Sequence, residues 1–298
     1  MSLNAPEQAA VPNVHSIPRR YVALGLVVVA ILLLGGLVLI RNNTAPDLPA
    51  NAEVYTPAPS DVFHEVTAVP QSVSDAVGAS SPASPITAPM PSHNTSLWED
   101  SPHNGGNRPV VFFYGAEFAP YAAAERWPLI IALSRFGTFD QLGLVESSTS
   151  VAFPAIPTFT FSKTAYSSVW IDLQTVERYS AQDLTGSGYS SLQVLTPRQS
   201  ASVSVYDISD STVPLLDISN RYTLAGSAFP PSLLTGLTQS QIASALTTPT
   251  APVTQAVLAS ANEITAAICA VTGERPITVC NARGVEAADD KLGIAAPH

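Results

Sequence analysis

The sequence predicts a three-layer α/β domain of about 190 residues, set behind one transmembrane helix and a disordered linker. Three observations predict it. Residues 21–40 form an uncharged apolar stretch, residues 42–107 hold ten prolines without any period, and strand and helix patterns alternate from Arg108 onward. The 298 residues are 46% apolar and only 12% charged. A sizeable core is therefore possible and whole-chain disorder is excluded.

The apolar stretch reads YVALGLVVVAILLLGGLVLI. Twenty residues at 1.5 Å each span roughly 30 Å, the hydrocarbon thickness of a bilayer. Arg19 and Arg20 precede it, and only Arg41 lies close behind. That bias predicts a cytoplasmic N-terminal tail (residues 1–20), a bilayer-spanning helix (21–40) and an extracytoplasmic body in the cell membrane. A cleaved signal peptide is the rival reading, but its apolar region usually runs to roughly 7–15 residues. Residues 41–107 are rich in Pro, Ser and Ala and read as a flexible, partly polyproline-like tether. His64, His93 and His103 fall within it and are expected to be solvated.

The body is expected at residues 108–281, with a flexible tail at 282–298. Residues 109–115 (PVVFFYG) are bulky and β-favouring, too short for a core helix, and predict a buried central strand. Residues 116–136 show helical spacing, with Pro128 inside the pattern. A short strand is expected at 142–147, and a hairpin at 158–161 and 168–173 around Lys163-Thr164-Ala165. A helical insertion capped by Thr196, with Pro197 at its first position, should cover 196–207. Residues 213–224 read as a strand pair about a turn at Ser219-Asn220. Thr238 and Gln241 form a capping box for a short helix, with Leu237 and Ile242 as its apolar staple. A last helix starts near Pro252, where Val257, Ala261, Ile264 and Ile268 share a face, and ends at Cys269.

Between the first strand and its helix lies Ala116-Glu117-Phe118-Ala119-Pro120-Tyr121-Ala122. A hydrophobic strand, an aromatic residue and a four-residue motif opening a Pro-containing helix resemble the active-site region of thioredoxin-fold oxidoreductases. The stretch VVFFYGAEFAPYAAAERWPLIIALSRFGTF resembles, more closely, a prokaryotic domain-of-unknown-function family of membrane-anchored thioredoxin-like proteins. The resemblance implies a Cys-Pro-Tyr-Cys motif, and here Ala119 and Ala122 stand at both cysteine positions around Pro120 and Tyr121. Thiol–disulfide exchange needs an attacking thiolate and a resolving thiol, and alanine supplies neither. The resemblance also implies a cis proline beside the motif, for which Pro214 and Pro157 are the candidates, and a groove that pairs with an extended chain. Glu117, Glu125 and Arg126 near the motif read as a surface ion-pair cluster.

Cys269 and Cys280 are the only cysteines. In an exported domain such a pair reads as a structural disulfide. Two thiols cannot build a four-thiolate metal site, and no histidine lies between residues 108 and 297, so a His base, a His metal ligand and a Ser-His-Asp triad are absent from that stretch. Acidic residues exceed basic ones, 23 to 13, without any Lys/Arg run, which argues against nucleic-acid binding. The sequence thus predicts a redox-inactive binding or assembly subunit of a membrane complex. Its partners are the bilayer, through residues 21–40, and a membrane or exported protein; no cofactor and no metal are expected. The alternative is a thiol–disulfide oxidoreductase, acting through Cys269 and Cys280 or as a form in which Ala119 and Ala122 replace native cysteines.

Overall fold

A computed structural model describes residues 55–79, 90–91, 100–103, 106–182, 188–206, 208 and 214–293. The expected tail 1–20, the apolar stretch 21–40, about half of the expected tether and the last residues of the chain lie outside them. The architecture is mixed α/β. Its centre is strand β4 (Gly106–Gly115), whose residues Val110 to Tyr114 are all buried. Val111 and Phe113 enter the main core on one face. Val110, Phe112 and Tyr114 enter a smaller cluster on the other, with Val176, Val203 and Leu215. A strand buried on both faces needs no polar alternation, which is why PVVFFYG is continuous.

The strands, numbered along the chain, are β1 (Thr56–Pro57), β2 (Met90–Pro91), β3 (Asp100–His103), β4, β5 (Gly137–Phe139), β6 (Gly143–Glu146), β7 (Pro157–Thr160), β8 (Tyr166–Ser168), β9 (Asp172–Glu177), β10 (Leu215–Ile218) and β11 (Tyr222–Ala225). The principal sheet has the order β2-β11-β10-β4-β3, and β9 pairs parallel with β4 over Val110–Gly115. β10 runs antiparallel to β4, and β11 antiparallel to β10. Ser219 and Asn220 both have φ near +50° in the tight turn between β10 and β11, as the sequence predicts. Helix α3 (Pro120–Ser134) leads out of β4, and α6 (Pro252–Thr272) packs beside it. α4 (Pro197–Val205) and α5 (Gln239–Ala245) both open on Thr–Gln capping boxes. By length and composition α6 could cross a membrane, but 83% of its apolar window is buried inside the domain. It is a core helix.

Three expectations are corrected. Residues 158–161 and 168–173 do not form a hairpin. β7 pairs with β6, β8 with β5, and β9 with β4. The turn at Lys163 exists, with φ +64°, but the strands it separates find partners elsewhere. Pairing follows which apolar face must be buried, not which strand is nearest.

The tether reading fails over residues 55–79, where the compact unit begins at Tyr55. These residues hold α1 (Ser60–Thr67) and α2 (Gln71–Val77). Pro59 and Pro70 occupy the N-cap positions, so these prolines start helices instead of extending the chain. Val62 and Val66, four apart, bury one face of α1, and His64 on it is exposed.

The flexible-tail reading fails over residues 282–293. Cys280 ends a single turn, α7 (Ile277–Cys280), and α8 (Arg283–Leu292) packs on α6 through buried Val285 and Ala288. Its acidic residues lie on a helix that an apolar stripe holds to the core.

Candidate functional site

The site to inspect is the start of α3. β4 ends at Gly115, where an added Cβ would lie 3.0 Å from the Phe113 ring and 3.3 Å from Ala122 Cβ. An added methyl would press on both groups, so strand and helix meet closely here. Ala119 is the N-cap without a side-chain hydrogen bond, and Pro120 occupies the first helical position. The methyl groups of Ala119 and Ala122 are fully buried, and Tyr121, 39% exposed, is the motif residue that reaches solvent. Its ring stands edge-on to Phe153 at 6.2 Å, and Phe118 stacks on Tyr189 at 4.0 Å. The loop bearing Phe153 hydrogen-bonds to the motif, Ser148 N–H donating to Phe118 O at 3.0 Å. Phe153 and Ala155 hold positive φ, conformations that cost of order 1 kcal/mol or more each in a non-glycine residue.

The charged residues beside the motif do not form a surface cluster. Glu117, Glu125 and Arg126 are all fully buried. Arg126 makes a two-pronged ion pair with Glu177 on β9, Nε to Oε1 at 2.9 Å and Nη2 to Oε2 at 2.6 Å. Nη2 also donates to Ala116 O at 3.0 Å, and Phe161 N–H donates to Glu177 Oε1. The pair thus ties the motif's first residue to the parallel strand. Thr160 Oγ1 donates to Glu117 Oε1, and Glu117 N–H donates to Tyr179 O at 2.9 Å. Glu125 Oε2 accepts from Ala228 N–H at 2.8 Å, and Oε1 has no partner. The signal for this burial was present in the sequence. α3 is apolar on every side, and a charge on such a helix has no solvent face to occupy.

Burial pushes the Glu125 carboxyl up to about 8, with nearby Glu263 adding to the shift and the Ala228 N–H opposing it. Burial likewise raises Asp217 to about 6, against the Asn220 N–H that its Oδ1 accepts at 2.7 Å. In both cases the folded carboxyl lies above its unfolded value, so the folded state holds protons that the unfolded chain has released. Their contribution is largest in acid and is lost as pH rises, from about 4.5 toward about 8 for Glu125 and from about 3.8 toward about 6 for Asp217. For Glu125 it is on the order of a few kcal/mol. Urea unfolding at pH 5 and pH 8 is expected to show lower stability at pH 8, and Glu125→Gln should remove most of that difference.

The cis-proline expectation is corrected at Pro157. Among the described residues the cis peptide bond is Arg275–Pro276, and Pro157 opens β7 through a trans bond, its carbonyl accepting from Trp127 Nε1–H at 2.9 Å. Pro214 stands directly before β10, but Val213 lies outside the described residues. Cys269 and Cys280 form a disulfide with both residues buried, and it ties the end of α6 to α7. Candidate ligand atoms of Cys269, Glu274 and Cys280 lie within 4.8 Å of one another. The sulfurs are bonded to each other, so this group offers no thiolate to a metal.

No curated protein and no solved structure matches the chain. The family described as Domain of unknown function (DUF929) matches residues 100–270, which run from β3 into α6 and make up more than half of the chain. The chain belongs to that family.

Proposed function

We propose that the chain is a membrane-anchored, extracytoplasmic thioredoxin-like protein without exchangeable thiols, acting as a binding or assembly subunit of a membrane complex. The observation that carries the redox-inactive half is the start of α3. Two buried methyl groups stand where exchange chemistry needs an attacking and a resolving sulfur, and the chain's only two cysteines are buried in a disulfide. The strand arrangement supports the thioredoxin-like half. β4 leads through α3 to a parallel neighbour, α4 intervenes, and Pro214 then precedes the antiparallel hairpin β10–β11. The uncharged residues 21–40 behind Arg19 and Arg20 support the anchor. The binding half draws on the exposed Tyr121 and its partner Phe153, which give the motif an aromatic rim with no chemistry of its own.

A dithiol-exchange assay on the full-length chain tests this reading. The wild type should show no turnover above background. Turnover by the wild type, abolished by Cys269→Ser, would mean the oxidoreductase reading is right.

A further inference from the structure

The surface around Tyr121 carries no charge and stands close to the first residue of the compact unit. Residues 118–124 (FAPYAAA) and 147–162 (SSTSVAFPAIPTFTFS) contain no charged side chain, and Glu146 and Lys163 bound the second stretch. Within it Ala152 and Pro154 are exposed, and Val151 and Phe153 are half-buried. The loop is closed on itself. Ser147 N–H donates to Ile156 O at 2.9 Å, Ile156 N–H to Ser147 Oγ at 2.9 Å, and Ala155 N–H to Ser148 O at 3.3 Å. Phe153 is thus held beside Tyr121 by a bonded frame. The compact unit begins at Tyr55. β1 runs antiparallel to β6 with Thr56 opposite Leu144, so the first residue of β1 faces the end of β6 that leads into this loop. Ser148, which donates to Phe118 O, lies four residues past Leu144, roughly 13 Å at the strand rise of about 3.3 Å per residue.

Residues 41–54, fourteen in all, separate the apolar stretch 21–40 from Tyr55. Fourteen residues reach about 48 Å when fully extended, and a coil of that length spans about 20 Å. A body of 239 residues (55–293) is about 45 Å across. On the anchor reading, the end of β6 is therefore always within reach of the bilayer surface, at a high effective concentration. We infer that the uncharged rim around Tyr121 and Phe153 rests in the headgroup interface of the bilayer that holds the anchor. The Tyr121 ring enters beside the upper acyl chains and its hydroxyl stays in water, the position that amphipathic aromatic side chains favour. The inference rests on the anchor reading and deepens it by assigning the rim's partner, a lipid surface. Charge points the same way. The chain's net charge of −10 offers no attraction to anionic headgroups, and an uncharged aromatic rim needs none. So small a contact would not hold a free protein to a membrane, but a tethered one has already lost most of the freedom that binding costs. Other exposed apolar residues lack this placement. Val169, 74% exposed, precedes the start of β9, whereas the motif follows the other end of the β4–β9 pair.

The full chain in phosphatidylcholine liposomes tests this. Ala152→Cys and Val169→Cys each offer one exposed thiol to a fluorophore, because Cys269 and Cys280 are bonded to each other. Lipids spin-labelled at the top of the acyl chain quench a probe that lies in the interface. Quenching at Ala152→Cys is expected to exceed that at Val169→Cys by about twofold or more, and to fall to the Val169→Cys level when Tyr121→Ser/Phe153→Ser is added. Equal quenching at the two sites overturns the docking. That outcome includes a rim made for a protein partner, since these liposomes contain none. An excess retained in Tyr121→Ser/Phe153→Ser also overturns it. Should the double variant not fold, Tyr121→Ser alone, at an exposed position, must lower the excess, and an unchanged excess overturns the docking. Flotation with the liposomes after an alkaline wash checks the anchor separately. A chain that fails to float refutes the anchor and the docking with it. One that floats with both probes equally quenched refutes the docking alone.

Discussion

Replacing Arg126 by methionine is expected to destabilise the domain by about 3–5 kcal/mol, the usual consequence of removing one partner from a buried ion pair. The loss has identifiable parts. Glu177 loses its counter-ion in a site from which water is excluded, with only the Phe161 N–H left beside its carboxyl. Ala116 O loses its donor at the point where β4 turns into the motif. The Phe113 ring loses the guanidinium held 5.5 Å from its centre. Methionine fills similar volume, so the cost is electrostatic and not a cavity. The double variant Arg126→Met/Glu177→Gln should therefore recover a large share of the loss, because it removes the stranded charge and keeps an acceptor for Phe161 N–H. Urea unfolding of wild type, both single variants and the double variant measures this coupling. Equal and additive effects would show that the pair is not a unit. Exposed ion pairs are worth no more than about 1 kcal/mol, so the size of the effect also separates the buried arrangement from the surface cluster expected from sequence.

Breaking the Cys269–Cys280 disulfide should cost about 3 kcal/mol, from the entropy of the roughly twelve-residue loop it closes. Cys269→Ser/Cys280→Ser is expected to lower the urea midpoint accordingly and to loosen α7 and α8 before the β4–β10 sheet, since the bond ties that end of the chain to α6. Both sulfurs are buried, so a mild reductant should leave them unreactive toward alkylation until denaturant is added. Mass spectrometry of the alkylated protein reads this directly. Rapid labelling without denaturant would make the pair an exchangeable couple and favour the oxidoreductase alternative.

The sequence by itself determined the elements whose signals are local. β4 followed from a run of bulky residues, α4 from a Thr cap before Pro197, α5 from its capping box, and α6 from apolar spacing after Pro252. The turn at Ser219-Asn220 and the pairing of Cys269 with Cys280 were equally legible. The alanines at 119 and 122 were plain to read, and the chemistry they exclude depends on side-chain type alone.

Only the tertiary structure decided which strands pair, which charges are buried and where the body begins. A strand carries its pattern of apolar residues but not the identity of its neighbour, so β7, β8 and β9 left the hairpin that their spacing suggested. Read as single letters the charges of Glu125, Arg126 and Glu263 look solvated, and the one local hint to the contrary is the apolar character of the helices that carry them. They are buried because the helices that carry them are covered on all sides by other parts of the chain, and local sequence does not record what covers it. The helices α1 and α2, too short to hold themselves, form only because α5, α6 and α8 supply the surfaces they pack against.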